Sequence, residues 1–217
     1  MMRTLLATLA TTLVATCCSA QSADHTELQQ RMEALAEGES LTLDDMTVTL
    51  HQRNAGERRA DGWYAAHSEG CGFGVLMPGP YSDTSQEAPT ADGQRLTIHT
   101  LATQTFEGTV FNALCWTRSD GSLPEGWSEG AVRIMARELG AEVLTIQNAG
   151  LDGHEIRGSD RRSGVVMRTL TGSGIGFQLI VEYPAAEAET ALPLAEHFLD
   201  SFRPPTEAKA SDPSSDG

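Results

Sequence analysis

Short segments with alternating apolar and polar residues recur along this chain, and tight turns rich in glycine and proline separate them. A period of two is typical of strands that bury one face. The pattern predicts strands at 47–50, 63–67, 71–77, 95–106, 109–116, 142–147, 153–157, 164–170 and 176–183. Residues 81–94 read as a polar loop. Because short turns join successive strands, a mainly antiparallel sheet is favoured.

Two segments have the spacing of amphipathic helices. In residues 124–139 apolar side chains recur three or four positions apart behind a capping-box pattern, although early glycines also allow a start near Ser128. The second helix is predicted over 190–202, and Phe198 lies on its apolar face. With both helices on the sheet, residues 41–203 form a single α+β domain, a mainly antiparallel β-sheet flanked by helices.

The first twenty residues have the features of an export signal. Arg3 is followed by an apolar run too short to span a bilayer, and a small-x-small cleavage pattern ends at Ala20. We expect residues 1–20 to be removed as a signal peptide. The alternative is a lipid anchor on Cys17, which ends a rough lipobox. The protein is therefore expected in the periplasm or secreted, or else lipid-anchored in the envelope, and no later segment is apolar enough to span a membrane.

Two polar segments flank the expected domain. Residues 21–40 include a possible short helix from His25 to Ala36, which we expect to dock loosely. Residues 204–217 are rich in proline, serine and aspartate, and they lack large apolar side chains. Such a segment cannot offset its ordering entropy by burial, so we expect a disordered tail.

The charge balance limits the partners. The formal net charge is −15, which argues against nucleic acid and against anionic membrane surfaces, because both reward basic residues. The single lysine, Lys209, lies in the polar tail, so a lysine nucleophile or base is not expected in the domain.

Cys71 and Cys115 remain after the predicted signal is removed. In an oxidising compartment these two cysteines are a candidate disulfide. The alternative is that both are small buried core residues with free thiols.

Three segments resemble landmarks of a known family. They are the strand from Phe73 to Met77, which enters a Pro-Gly turn, the last strand at 177–184, and the end of the terminal helix at 198–202. Together they resemble bacterial envelope proteins of the PsbP/DcrB-like α/β sandwich group over residues 62–203. The resemblance implies an antiparallel sheet flanked by helices in an exported envelope protein, and it implies no shared catalytic residues.

One pattern resembles a hydrolase nucleophile. Ser128 lies within a G-x-S-x-G sequence, and Asp152 and His197 follow in the hydrolase order. Since a turn and not a strand precedes Ser128, a surface serine between helix-start glycines is the competing interpretation. A paired site of His67 with His99 is a further possibility. No metal-ligand spacing or cofactor motif is present, so neither a metal nor a cofactor is expected.

Three classes of function remain open. The first is a non-catalytic envelope protein that binds a protein partner or assists assembly. The second is a small-ligand-binding periplasmic protein, and the third is an enzyme with an unrecognised site. The clearest motifs of the sequence serve the packing of the fold and not chemistry, which favours the first class. We therefore expect no catalytic activity.

Overall fold

The structure is a computed structural model that describes residues 31, 34–124 and 126–205. The predictions for residues 1–30, which include the cleavage site at Ala20 and the candidate lipid site Cys17, lie outside the described residues. The same holds for positions 206–217 of the predicted tail. The domain limits of 41–203 stay a prediction.

Among the described residues, nine strands form one sheet in the order β1-β2-β6-β7-β8-β12-β11-β10-β9, and every neighbouring pair is antiparallel. These strands are β1 (Ser40–Leu43), β2 (Met46–Ala55), β6 (Tyr81–Pro89), β7 (Arg95–Gln104), β8 (Val110–Arg118), β9 (Val143–Asn148), β10 (Leu151–Ser159), β11 (Ser163–Thr171) and β12 (Ile175–Pro184). The α+β fold with a mainly antiparallel sheet is therefore confirmed.

A smaller sheet lies beside the large one, and two helices complete the described regular structure. The small sheet has the order β3-β4-β5, with β3 (Glu57–Arg58), β4 (Tyr64–His67) and β5 (Gly74–Met77). Helix α1 spans Trp127–Leu139, and helix α2 spans Ala188–Asp200 after a 3-10 turn at Ala185–Glu187. None of the helices in the described part of the chain is long and apolar enough to cross a membrane.

Helix α1 covers one face of the large sheet, which we call the α1 face. Its buried residues Val132 and Ala136 pack on a cluster from the central and later strands: Ile98, Leu114, Ile156, Val165, Met167 and Ile180. Ile134 points away from this cluster and is exposed.

The opposite face, which we call the α2 face, carries the larger core. Phe198 is fully buried and its ring lies 5.4 Å from that of Phe111 in an edge-on arrangement. Phe73 and Phe177 meet Phe202 at the end of α2. Burying each such side chain contributes about 1.5–3 kcal/mol before the entropy of ordering it is subtracted.

The small sheet is tied to the end of α2. Ser201 Oγ accepts a hydrogen bond from the Leu76 N–H at 2.8 Å and donates to the Phe198 carbonyl at 2.6 Å. Gly74 and Arg203 exchange two backbone hydrogen bonds. The small sheet and α2 therefore close the α2 face together.

The predicted polar loop at 81–94 is wrong. Residues Tyr81–Pro89 form β6, which pairs with β2 on one side and β7 on the other. Thr84, Ser85 and Gln86 are all buried, so polar side chains line both faces of this strand. The hydrophobic alternation that identifies a half-buried strand is absent for that reason.

The predicted start of α1 at residue 124 is also wrong. Ser122 donates its N–H and its hydroxyl to the Asp120 carboxylate, and so it does not cap the helix. Gly126 is the N-cap residue, with a left-handed φ of 70° and no side-chain cap. The observed start at Trp127 agrees with the later start near Ser128.

Candidate functional site

Ser128, in the first turn of α1, lies against the α1 face of the sheet. Its Oγ is 3.0 Å from His154 Nδ1 on β10 and 2.8 Å from Thr169 Oγ1 on β11. His154 and Thr169 are register partners on adjacent strands. The antiparallel pairing of β10 with β11 therefore places both polar side chains where the helix begins.

Hydrogen bonds join the three residues of this cluster. Thr169 Oγ1 donates to the Ser128 carbonyl at 3.0 Å. The Ser128 hydroxyl lies between Thr169 Oγ1 and His154 Nδ1, and which of these atoms donates depends on the hydroxyl hydrogens and on the tautomer of the His154 ring. These contacts attach the first turn of α1 to β10 and β11.

The structure does not bring His197 to Ser128 and Asp152, as the hydrolase-order alternative would require. His197 lies on α2, on the other side of the sheet, and its ring centroid is 4.4 Å from that of Trp63. The Asp152 carboxylate accepts a hydrogen bond from Gln147 Nε2. His154 takes the place beside the serine, which the order of motifs along the chain did not indicate.

A cavity of about 400 Å³ opens at the start of α1. Its lining includes Ser128, His154, Asp152, Glu129 and glycines of the β11–β12 turn. A Cβ at Gly176, just beyond this turn, would collide with the Trp127 ring. The glycine at the start of β12 thus makes room for the half-buried Trp127 ring. Phosphate is a poor match for the cavity, since two carboxylates line it.

A network of charges joins β10 and β11 to α2 on the other side of the sheet. Glu155 is buried, and its carboxylate accepts from Arg157 at 2.6 Å and from Arg168. Arg168 also donates to Asp200 at 2.8 Å, and Arg157 pairs with Glu196. Burial alone would raise the pKa of Glu155, and the hydrogen bonds from the two arginines hold the pKa below its ordinary value.

A second cavity, of about 340 Å³, lies between this network and the edge strand β9. Ile146, Asn148, Arg168 and Asp200 are among its lining residues. Asn148 Nδ2 donates to the Leu199 carbonyl at 3.3 Å, which holds the end of β9 against α2. The Asp200 carboxylate, with 68% of its side chain exposed, is the accessible charged group of this cavity.

Two histidines stack at the β2 end of the α2 face, and they are not the pair of His67 and His99 that the sequence left as a possibility. His99 stacks on His51 with ring centroids 6.3 Å apart, and His51 Nε2 lies 2.8 Å from Ser85 Oγ. His67 is an exposed residue of the small sheet. Nearby, burial raises the pKa of Asp83 to about 6, while the charge of His51 opposes the shift.

Cys71 and Cys115 form a disulfide with a Cα–Cα distance of 6.5 Å, so the predicted pairing is present. The bond joins the loop before β5 to β8 and lies in the core of the α2 face. No group of three or more histidine, cysteine or acidic residues in the described ranges is arranged to hold a metal ion.

The fold and these clusters define a mainly antiparallel α+β protein with a disulfide-linked core. No family model and no curated protein matches the chain. Among solved structures, it is similar to LpqN, described as involved in cell envelope biogenesis of Mycobacterium tuberculosis, at 12% sequence identity and a TM-score of 0.33. That similarity covers 77% of this chain and 90% of LpqN. We base neither fold nor function on so weak a likeness, and membership of the PsbP/DcrB-like group stays a prediction.

Proposed function

We propose that this chain is an exported, non-catalytic binding protein of the cell envelope, and that it binds an extended segment of a protein partner along β9. The observation that carries the proposal is that β9 is an outer strand of the large sheet, with no further strand paired to it among the residues that the structure describes. An extended peptide can add to such an edge as a further strand, with backbone hydrogen bonds providing affinity.

The hairpin geometry identifies the free backbone groups of β9. Asn148 and Leu151 flank a two-residue turn, so they form a hydrogen-bonded pair, and the pairs alternate along the ladder from there. The backbone groups of Val143, Thr145 and Gln147 therefore point away from β10. No backbone group in the described part of the chain pairs with them on that side.

The edge at β9 lacks the usual protection against pairing. The sequence of β9 is VLTIQN, without charge or proline, its register with β10 has no shift, and Leu144 is 45% exposed. The other edge of the large sheet, β1, has only four residues. Exposed edges are ordinarily protected by short length, charge, proline or bulges, so β9 has the properties of a docking edge.

The cavity beside β9 indicates the chemistry of the partner. An added strand lies about 4.8 Å from β9, and alternate side chains of that strand project to the α2 face. There the network contains three carboxylates against two guanidinium groups, and Asp200 is accessible. A partner segment with a lysine or arginine opposite this cavity fits, and the net charge of −15 attracts a basic partner.

Two further observations support the proposal that the protein is non-catalytic and exported. Ser128, the serine with the nucleophile-like sequence, is 7% exposed and holds α1 on the sheet. The disulfide between Cys71 and Cys115 is typical of an oxidising compartment.

A selection from displayed random linear peptides tests the proposal. We expect the chain to enrich peptides rich in β-branched residues that carry a lysine or arginine. Thr145→Pro removes an outward N–H and no ladder bond to β10, so it should abolish binding of the enriched peptides. Thr145→Val keeps that N–H and should bind as the parent does. Asp200→Asn should weaken basic peptides and leave their uncharged variants unchanged.

Failure of the selection to enrich any peptide, or equal binding by Thr145→Pro and Thr145→Val, would contradict docking at β9. Turnover of a substrate that Ser128→Ala abolishes would contradict the non-catalytic assignment. Circular dichroism of each variant must first match that of the parent.

A further inference from the structure

Cavities lie on both faces of the sheet beside the same end of β9. On the α1 face, Gln147 is the register partner of Asp152, which lines the cavity of about 400 Å³ at the start of α1. Successive side chains of a strand point to opposite faces. Asn148, the next residue of β9, therefore points to the α2 face, where it lines the cavity of about 340 Å³.

The α1-face cavity has one more carboxylate than guanidinium group. Its two carboxylates belong to Asp152 and Glu129. Glu129 accepts a hydrogen bond of 2.9 Å from Arg133 in the next turn of α1. Asp152 is exposed, and among the described residues its only hydrogen bond comes from Gln147 Nε2 at 3.2 Å. Within the described part of the chain, the Asp152 carboxylate is therefore left without an arginine or lysine partner.

The α2 face has the same excess. Its network contains the carboxylates of Glu155, Glu196 and Asp200 and the guanidinium groups of Arg157 and Arg168. Asp200 lines the cavity on this face and has 68% of its side chain exposed. Each face of the sheet thus presents one surplus, accessible carboxylate near the same end of β9.

From this arrangement we infer that the partner segment contains two adjacent basic residues, whose side chains lie on opposite faces of the sheet, one at Asp152 and the other at Asp200. The inference rests on the docking at β9 proposed above. Directly opposed residues of neighbouring strands share a face, so the partner residue opposite Gln147 points to the α1 face. The residues before and after it point to the α2 face, whichever way the partner strand runs.

The dimensions of the edge allow both contacts. An added strand lies about 4.8 Å from β9 and about 9.6 Å from β10, which carries Asp152. The long apolar stem of a lysine or arginine can lie across Gln147 and bring its charge to that carboxylate. Two basic residues separated by one residue would both point to the same face, and the surplus carboxylate on the other face would have no partner.

Three synthetic peptides built on β-branched residues test the inference by fluorescence anisotropy. One has two adjacent lysines, one has two lysines separated by a threonine, and one has a single lysine. We expect the adjacent pair to bind at least about threefold more tightly than either other peptide at low salt, because it alone places a charge on each face. The separated pair has the same net charge and is the matched control.

Substitutions of Asp152 test which carboxylate is responsible. Asp152→Asn should remove the advantage of the adjacent pair over the separated pair, and Asp152→Arg should reverse it, because like charges then meet on the α1 face. Asp45 lies in the exposed β1–β2 turn at the other edge of the sheet. Asp45→Asn and Asp45→Arg change the net charge by the same amounts and should keep the advantage.

Equal binding of the adjacent and the separated pair would overturn the inference, and so would an advantage that survives both Asp152 variants. If Thr145→Pro abolishes peptide binding in those cases, docking at β9 stands and only the adjacent basic pair is wrong. Binding that Thr145→Pro leaves intact, or no binding by any of the three peptides, would contradict docking at β9 and this inference with it.

Discussion

His154 Nδ1 lies 3.0 Å from Ser128 Oγ, and the pair attaches the first turn of α1 to β10. The sequence around Ser128 has the form of a hydrolase nucleophile, yet its hydroxyl is enclosed by His154 and Thr169 under the helix. A helix that lacks a side-chain N-cap gains its attachment here instead.

Replacing Ser128 tests this structural role. Ser128→Ala removes the hydroxyl between His154 and Thr169 and leaves both partly unsatisfied, so we expect the free energy of unfolding to fall by about 1–2 kcal/mol. Urea denaturation measures it. Ser159→Ala, at an exposed position of β10, should change stability by less than about 0.5 kcal/mol. Equal stability of Ser128→Ala and the parent would contradict the role.

The disulfide should contribute a large part of the stability. It joins cysteines 44 positions apart, and closing a loop of that length in the unfolded chain is worth about 4 kcal/mol in the chain-entropy model. A reductant should lower the urea midpoint of the parent and leave that of the Cys71→Ala/Cys115→Ala double variant unchanged. Alkylation of both thiols in the unreduced, denatured parent would show that the bond is absent.

Asp83 should make stability depend on pH. Burial raises the pKa of Asp83 to about 6, against about 3.9 in the unfolded chain. Because the native state binds the proton more tightly, ionisation of Asp83 destabilises the fold above pH of about 6, and this penalty vanishes as the pH falls below about 3.9.

The expected outcome is a pH-dependent gain from Asp83→Asn. With allowance for partial exposure of the side chain, the variant should be about 1–2 kcal/mol more stable than the parent at pH of about 7.5 and nearly equal to it at pH of about 4. Asp45→Asn, in the exposed β1–β2 turn, should differ from the parent by less than about 0.5 kcal/mol at both values. A gain that is the same at both values would show that the ionisation of Asp83 is not its source.

A substitution in the β9–β10 turn should raise the free energy of unfolding. Ala149 has a left-handed φ of 51° and precedes Gly150 at 82°, the pattern of a two-residue turn that favours asparagine followed by glycine. Ala149→Asn should therefore raise the free energy of unfolding by about 0.5–1 kcal/mol. Ala149→Val, whose branched side chain tolerates this backbone poorly, should lower it. Denaturant midpoints of the two variants on opposite sides of the parent would confirm the prediction, and any other order would refute it.

Local patterns predicted most strands and both helices, and they failed where burial and polarity do not coincide. The strand β6 was missed because Thr84, Ser85 and Gln86 are polar on both of its faces. The start of α1 was placed too early because Ser122 bonds to Asp120 instead of capping the helix. In the first case the neighbouring strands β2 and β7 bury the polar side chains. In the second case a residue two positions away accepts the hydrogen bonds of Ser122.

The sequence by itself determined the class of fold and which two cysteines could pair. Periods of two and of 3.6 residues are local properties, and Cys71 and Cys115 are the only cysteines beyond the predicted signal. Only the tertiary structure decided that Ser128 meets His154, that His99 stacks on His51, and that β9 is an outer strand of the large sheet among the described residues. Those relationships depend on strand order: β8 pairs with β12 across more than fifty intervening residues. Such pairing is set by the packing of the whole sheet, which local periodicity does not record.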